Sequence, residues 1–195
     1  MYKIAVLAST RGTNFQSFLD AKARGELENV EIACLITNKP HCGAAEKAKA
    51  AGIPVYAIDQ TDKTREEFDL EVMKVLDGLK VDLVVLGGYM RIIGPEMVRR
   101  YKNRIINIHP SLLPRHPGMD LSVHQEVLDD DDKETGMTIH FIDEGVDTGP
   151  IVFQKSVPVE AGDTAEKLKD KVQGLEKEWY PKVVRMFAEN KLPKK

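Results

Sequence analysis

Ile4-Ala5-Val6-Leu7-Ala8 is apolar at every position, and Leu83-Val84-Val85-Leu86 repeats the pattern in mid-chain. A strand with one wet face alternates polar and apolar residues, so a strand without alternation is covered on both faces, as in a parallel sheet flanked by helices. The intervening segments supply those helices. Phe15, Phe18 and Leu19 recur at helical spacing, and residues 43–51 are rich in Ala, Lys and Glu and close at Gly52. Thr64 and Glu67 have the spacing of a capping box ahead of an apolar stripe of Phe68, Val72, Val75, Leu76 and Leu79. Strands are predicted at 30–36 and 55–58 and a short helix at 95–101. Repeated strand–helix units imply right-handed crossovers and an α/β fold with a doubly wound, mostly parallel sheet. Beyond Gly118 the pattern changes. Residues 123–128 read as helix, whereas 137–142 and 151–157 alternate as paired strands, so a late antiparallel strand is expected. A final helix is predicted from Thr164 to about Ala188, with Leu168, Val172, Leu175, Trp179 and Val183 inward and a frayed Lys-rich tail. No linker or repeat divides the chain, and residues 1–195 are expected to form one domain.

Composition matters mainly for what it excludes. A formal net charge of -3 over 195 residues argues against a nucleic-acid binder driven by phosphate neutralisation. No apolar run approaches a membrane span or a signal-peptide core, and the two cysteines, Cys34 and Cys42, lack metal or CxxC spacing. A cytoplasmic protein with reduced thiols and no metal is expected. The acidic run Asp129-Asp130-Asp131-Asp132 reads as a solvated turn, because four carboxylates would repel one another without an ion.

Three segments at predicted strand ends carry candidate chemistry. Ser9-Thr10-Arg11-Gly12-Thr13-Asn14 joins a strand to a helix start, where open amide N–H groups and the helix dipole favour an anion. With one glycine it lacks the dinucleotide fingerprint, so a phosphate monoester suits it better than a pyrophosphate; a plain turn with an N-cap suits it as well. Gly87-Gly88-Tyr89-Met90-Arg91-Ile92-Ile93 offers close backbone approach and an apolar wall for a heterocycle, or simply core. In Ile106-Asn107-Ile108-His109-Pro110 the period of two sends Asn107 and His109 to one face, an amide donor beside a titratable base. Desolvation alone would leave such a histidine uncharged, and a neighbouring aspartate would reverse that and orient the ring. Asp147, in a polar loop between the two late strands, is the candidate; a hydrogen-bonded core histidine is the alternative. Ser111 follows His109 closely, but no nucleophile elbow surrounds it.

Asn107-Ile108-His109-Pro110-Ser111-Leu112-Leu113-Pro114, together with Gly12-Thr13-Asn14, Thr138-Ile139-His140-Phe141 and Val146-Asp147-Thr148-Gly149-Pro150, resembles the folate-dependent formyltransferases, in particular the branch that formylates glycinamide ribonucleotide. The resemblance spans nearly the whole chain and implies the Rossmann-like formyltransferase fold. It implies that Asn107 polarises the formyl carbonyl and holds the oxyanion, that His109 handles protons and that Asp147 positions it and favours its charged form. It further implies that Gly12, Thr13 and Asn14 hold the phosphate of glycinamide ribonucleotide, with Gln173 and Glu176 on the ribose side. Arg65, Met90, Arg91, Ile92 and Ile93, and the loop residues Asp143, Glu144, Gly145 and Val146, would receive 10-formyltetrahydrofolate as co-substrate. The implied reaction is direct attack by the amine, with no acyl-enzyme, no metal and small molecules as the only partners of a monomer or homodimer. Met119-Asp120-Leu121-Ser122-Val123 is about two residues longer than the family pattern. Among rivals, a formyltetrahydrofolate deformylase would carry an N-terminal regulatory domain, which a first strand at residue 3 gives no reason to expect. Methionyl-tRNA formyltransferase would need a C-terminal domain and a basic surface, and a non-catalytic nucleotide-binding module would not depend on Asn107 or His109.

Overall fold

Seven strands in the order β3-β2-β1-β4-β5-β6-β7 form one sheet in the computed structural model, which describes residues 1–118 and 121–192. β1 (Tyr2–Leu7), α1 (Thr13–Ala23), β2 (Val30–Thr37), α2 (Gly43–Ala50) and β3 (Val55–Ala57) wind one way from the centre. α3 (Arg65–Leu79), β4 (Leu83–Leu86), α4 (Pro95–Arg100) and β5 (Ile105–His109) wind the other. α5 (Leu121–Asp129), β6 (Glu134–Phe141), β7 (Ile151–Pro158) and α6 (Ala165–Ala188) complete the chain. The first five strands pair in parallel, and β6 alone runs opposite to its neighbours β5 and β7. The order reverses between β1 and β4, whose carboxyl ends flank the crevice where ligands collect in such sheets.

The unbroken apolar runs are explained by two cores. Ile4 and Val6 pack with Phe15, Phe18, Val172 and Tyr180 on one face, while Ala5 and Leu7 pack with Phe68, Val72, Leu76 and Met97 on the other. α3 opens with the anticipated capping box, Thr64 Oγ1 accepting from Glu67 N–H and the Glu67 carboxylate accepting from Thr64 N–H. Its buried stripe differs slightly from expectation. Met73 and Asp69 are buried, whereas Val75 and Leu79 are only half-buried. Asp69 accepts the Gly94 N–H at 2.6 Å, which explains a carboxylate on an apolar face.

α6 requires a larger correction. Its inward line is Leu168, Val172, Glu176, Tyr180 and Val183–Val184, while Leu175 and Trp179 lie on the flank. Trp179 stacks on Phe153 of β7 at 4.8 Å between ring centroids, covering that edge strand instead of entering the core. The buried Tyr180 hydroxyl donates toward Leu86 O at 2.8 Å, with Ile106 O at 3.2 Å, and so ties α6 to β4 and β5. Met119 and Asp120, in the segment expected to be longer than the family pattern, and the tail 193–195 lie outside the described residues.

Candidate active site

The turn after β1 has the form its composition suggests. Gly12 takes a left-handed φ of 73° as the N-cap of α1, and no side chain caps the helix. A Cβ there would lie 2.7 Å from Ala44 Cα, so α2 packs directly on the turn and leaves room for hydrogen only. The Gln16 amide donates to Gly12 O at 2.9 Å, and a helix N-terminus leaves the N–H groups before it without intrahelical partners. Asn14 links this turn to α6, its Nδ2 donating to Glu176 Oε2 at 3.2 Å while its Oδ1 is buried without a partner. Glu176 is 8% exposed. Burial pushes its carboxyl up from the ordinary 4.5 to about 7, against the weaker opposing pull of the Asn14 amide. Gln173, one turn earlier in α6, is half-buried.

On β5, Ile106 and Ile108 enter one core, leaving Asn107 and His109 on the other face of the sheet. Antiparallel pairing sets Asn107 opposite His140 and His109 opposite Thr138. His140 Nδ1 lies 3.0 Å from Phe141 O, a carbonyl that can only accept, so this nitrogen carries the proton. Burial depresses the His140 pKa, aided by the nearby His109, while the bond to Phe141 O and the charge of Asp147 oppose the shift. The ring is therefore neutral, and its Nε2 accepts from Asn107 Nδ2 at 3.3 Å. This bond fixes which end of the Asn107 amide is nitrogen and leaves its second N–H for another acceptor. His140 lay within the motif that carried the family resemblance but was assigned no role. The signal was available: Thr138 and His140 alternate on β6 as Asn107 and His109 do on β5.

His109 is 3% exposed. Its Nε2 donates to His116 O at 3.0 Å, and its Nδ1 lies 3.4 Å from Asp147 Oδ2. Both ring nitrogens thus face oxygen, and the ring is held from two sides. The other Asp147 oxygen lies 3.6 Å from His140 Nε2, so one carboxylate sits between two imidazoles. Asp147 reaches them by an unexpected route. β6 runs antiparallel, so it ends beside the start of β5, where Ile142 N–H donates to Ile105 O at 3.0 Å. The loop must then cross the sheet face to reach His109, rather than emerging at the carboxyl edge of the parallel strands. Asp143 stabilises the crossing by accepting from Gly145 N–H at 3.0 Å and from Thr148 Oγ1 at 2.8 Å. Asp147 itself adopts a left-handed φ of 55°. Glu144 pairs with Arg99 of α4 at 3.1 Å.

Of the three residues expected to form an apolar wall after β4, Met90 and Ile92 are 50% and 60% exposed, but Ile93 is buried in the core against α3 and α4. Val146 in the crossing loop is a third apolar side chain left open, at 65%. Arg91 lies over the Phe68 ring at 4.1 Å and donates to Gln60 Oε1 at 2.7 Å, while Arg65 is exposed at the start of α3. Ser111 is fully buried, its hydroxyl 2.7 Å from Arg115 O and 3.1 Å from His116 O, so it shapes the loop after β5. The acidic run is only partly the solvated turn expected of it. Asp129, Asp130 and Asp131 are exposed, but the Asp132 side chain is 7% exposed and bonded to His116 and Arg115.

Residues 2–184 match the formyl transferase family. The chain is 39% identical over 193 residues to phosphoribosylglycinamide formyltransferase of Haemophilus influenzae, covering 98% of this chain and 90% of that protein. It is 38% identical over 189 residues to the trifunctional purine biosynthetic protein adenosine-3 of Drosophila melanogaster, of which it spans 14% of the length. Among solved structures, glycinamide ribonucleotide transformylase 1 from Symbiobacterium toebii superposes with a TM-score of 0.92 at 38% identity, covering 100% of this chain and 91% of that one. A formyltetrahydrofolate deformylase from Pseudomonas syringae superposes with a TM-score of 0.87 at 28% identity, but this chain covers only 62% of it. The seven-stranded sheet, the strand pair that carries Asn107, His109 and His140, and the full-length similarity agree: this chain belongs to the formyl transferase family.

Proposed function

We propose that this protein transfers the formyl group of 10-formyltetrahydrofolate to the amine of glycinamide ribonucleotide, a step of purine biosynthesis, with residues 1–195 acting as one catalytic domain. The observation that carries the reading is the Asn107 amide, held by a neutral His140 with one N–H free beside His109 and Asp147. Such a preorganised donor suits an oxygen that becomes negative during acyl transfer. No acyl-enzyme is invoked, because Ser111 is buried in loop hydrogen bonds. The substrate amine attacks the formyl carbon, a carbon–nitrogen bond forms, and the carbonyl oxygen takes the negative charge opposite Asn107. Collapse breaks the bond to the folate N10. The proton lost by the amine passes by way of His109, in contact with Asp147, to the departing nitrogen. Holding both reactants in one place accounts for much of the acceleration.

Gly12, Thr13 and Asn14 receive the phosphate, which matches the open first turn of α1. Glu176, with Gln173 beside it, receives the ribose hydroxyls, and the Asn14–Glu176 bond joins the two subsites. Met90, Ile92 and Val146 present apolar surface to the folate, with Arg65, Arg91, Asp143, Glu144, Gly145 and the Ile93 backbone around it. The reaction uses no metal and takes place in the cytoplasm, in a monomer or homodimer with small molecules as its ligands. None of the described helices is long and apolar enough to cross a membrane.

The deciding assay supplies glycinamide ribonucleotide and 10-formyltetrahydrofolate together and follows the formylated ribonucleotide. Release of formate that depends on water, without that product, would replace the transferase reading with deformylase chemistry.

A further inference from the structure

We propose that His116, anchored by Asp132, is a positioning residue for His109 in the formyl transfer. The proposal rests on the reading of His109 as catalytic given above. The His109 ring has one partner on each side: Asp147 faces Nδ1, and the main-chain carbonyl of His116 accepts a hydrogen bond from Nε2–H at 3.0 Å. The second contact keeps a proton on Nε2 and fixes the rotation of the ring, so the position of one peptide carbonyl sets where Nδ1 points. That carbonyl belongs to a loop, and a loop holds a side chain to a fraction of an ångström only if it is itself held.

His116 carries the means. Its backbone adopts a left-handed φ of 50°, uncommon for a residue with a side chain. Its side chain is 7% exposed, and its Nε2 lies 2.8 Å from Asp132 Oδ2. Arg115, the preceding residue, takes the other oxygen of the same carboxylate. Two further carboxylates, Glu126 and Asp130, lie 3.8 Å and 3.9 Å from His116 Nδ1. The ring is thus surrounded by acid from α5 and from the segment that follows it. From the other side Ser111 Oγ reaches the same carbonyl at 3.1 Å. Asp132 is the buried member of an otherwise exposed acidic run, and this contact gives a reason for its burial. Although burial of Asp132 works to raise its pKa, the hydrogen bonds from His116 and Arg115 outweigh this and hold it below the ordinary carboxylate value.

The test compares His116→Met, which keeps the length but loses the donor, with His116→Gln, which keeps an N–H for Asp132. His116→Met is expected to lower kcat about 10-fold with KM for both substrates within about 2-fold, because a small displacement of a catalytic group is felt in turnover rather than in binding. His116→Gln is expected to stay within about 3-fold of the parent, since the anchoring N–H survives. In the parent and in His116→Gln, NMR should show a slowly exchanging His109 Nε2 proton that is lost in His116→Met. Wild-type kcat in His116→Met overturns the proposal, as does a His116→Gln variant as slow as His116→Met. If His116→Met does not fold, Asp132→Asn decides, with reduced kcat expected and unchanged kcat overturning the proposal. His109→Asn separates the levels: activity retained there sinks the catalytic reading itself, whereas a dead His109→Asn beside a fully active His116→Met refutes positioning alone.

Discussion

The parallel and antiparallel parts of the sheet contribute to the site by different physical means. In the parallel part the turn itself is local: β1 ends, the chain turns at Gly12 and α1 begins, and the Asn14–Glu176 bond then ties that turn to α6. In the antiparallel part nothing is local. Asn107 meets His140 across a strand pair, and Asp147 returns over the sheet face to stand between His109 and His140. A parallel strand end makes a binding site from backbone, which tolerates changes of side chain. An antiparallel register makes a catalytic site from side chains, which does not. Substitutions on the two sides should therefore fail in different ways, on affinity or stability for the first and on turnover for the second.

The largest effect is expected from Asn107→Ala on the antiparallel side. Loss of an oxyanion donor should lower kcat about 100- to 1000-fold with little change in KM, measured by steady-state kinetics. A comparable loss confined to KM would remove the distinction. Glu176→Gln probes the other side through stability. The folded-state carboxyl is raised from 4.5 to about 7, so its stabilising contribution is complete below 4.5 and is lost as pH rises through about 7. Denaturant unfolding should find the variant roughly 3 kcal/mol more stable than the parent at pH 8 and little different at pH 4.5, with weaker ribonucleotide binding. His140→Phe, which keeps a ring but removes the acceptor for Asn107, should lower kcat about 10- to 30-fold, worth roughly 2 kcal/mol, because the amide loses its fixed orientation. Gly12→Ala places a methyl against Ala44 at a left-handed φ and should cost about 1 to 2 kcal/mol in thermal or denaturant unfolding while raising KM for the phosphorylated substrate. Thr64→Ala, outside the Asn107–His109–Asp147 cluster, should cost about 1 kcal/mol of stability through loss of its cap and leave kcat unchanged.

The same division decides what is legible in the sequence. Residues 4–8 and 83–86 were interpretable because burial on both faces of a sheet removes every polar residue from a strand. Thr64 and Glu67 were interpretable because a cap is a contact between residues three apart. The α6 stripe is only partly legible, since spacing favours Trp179 as core over Glu176, whereas packing against β7 and the Asn14 bond reverse their places. For Ile93 wall and core are both open in the sequence, and packing against α3 and α4 makes it core, because an apolar residue at a strand exit suits either until its neighbours are known.

By itself the sequence determined the doubly wound architecture, the turn at Gly12 and the shared face of Asn107 and His109. Each depends on periodicity or on contacts within a few residues. Tertiary structure alone decided that His140 orients Asn107, that the loop of Asp147 crosses the sheet face, and that Asp132 leaves its acidic run to hold His116. Those contacts join residues brought together by the register of β5 on β6 and by the packing of α5 and the loop after it. Nothing in the spacing of the individual residues specifies that register, because it is set by the burial of both strands together.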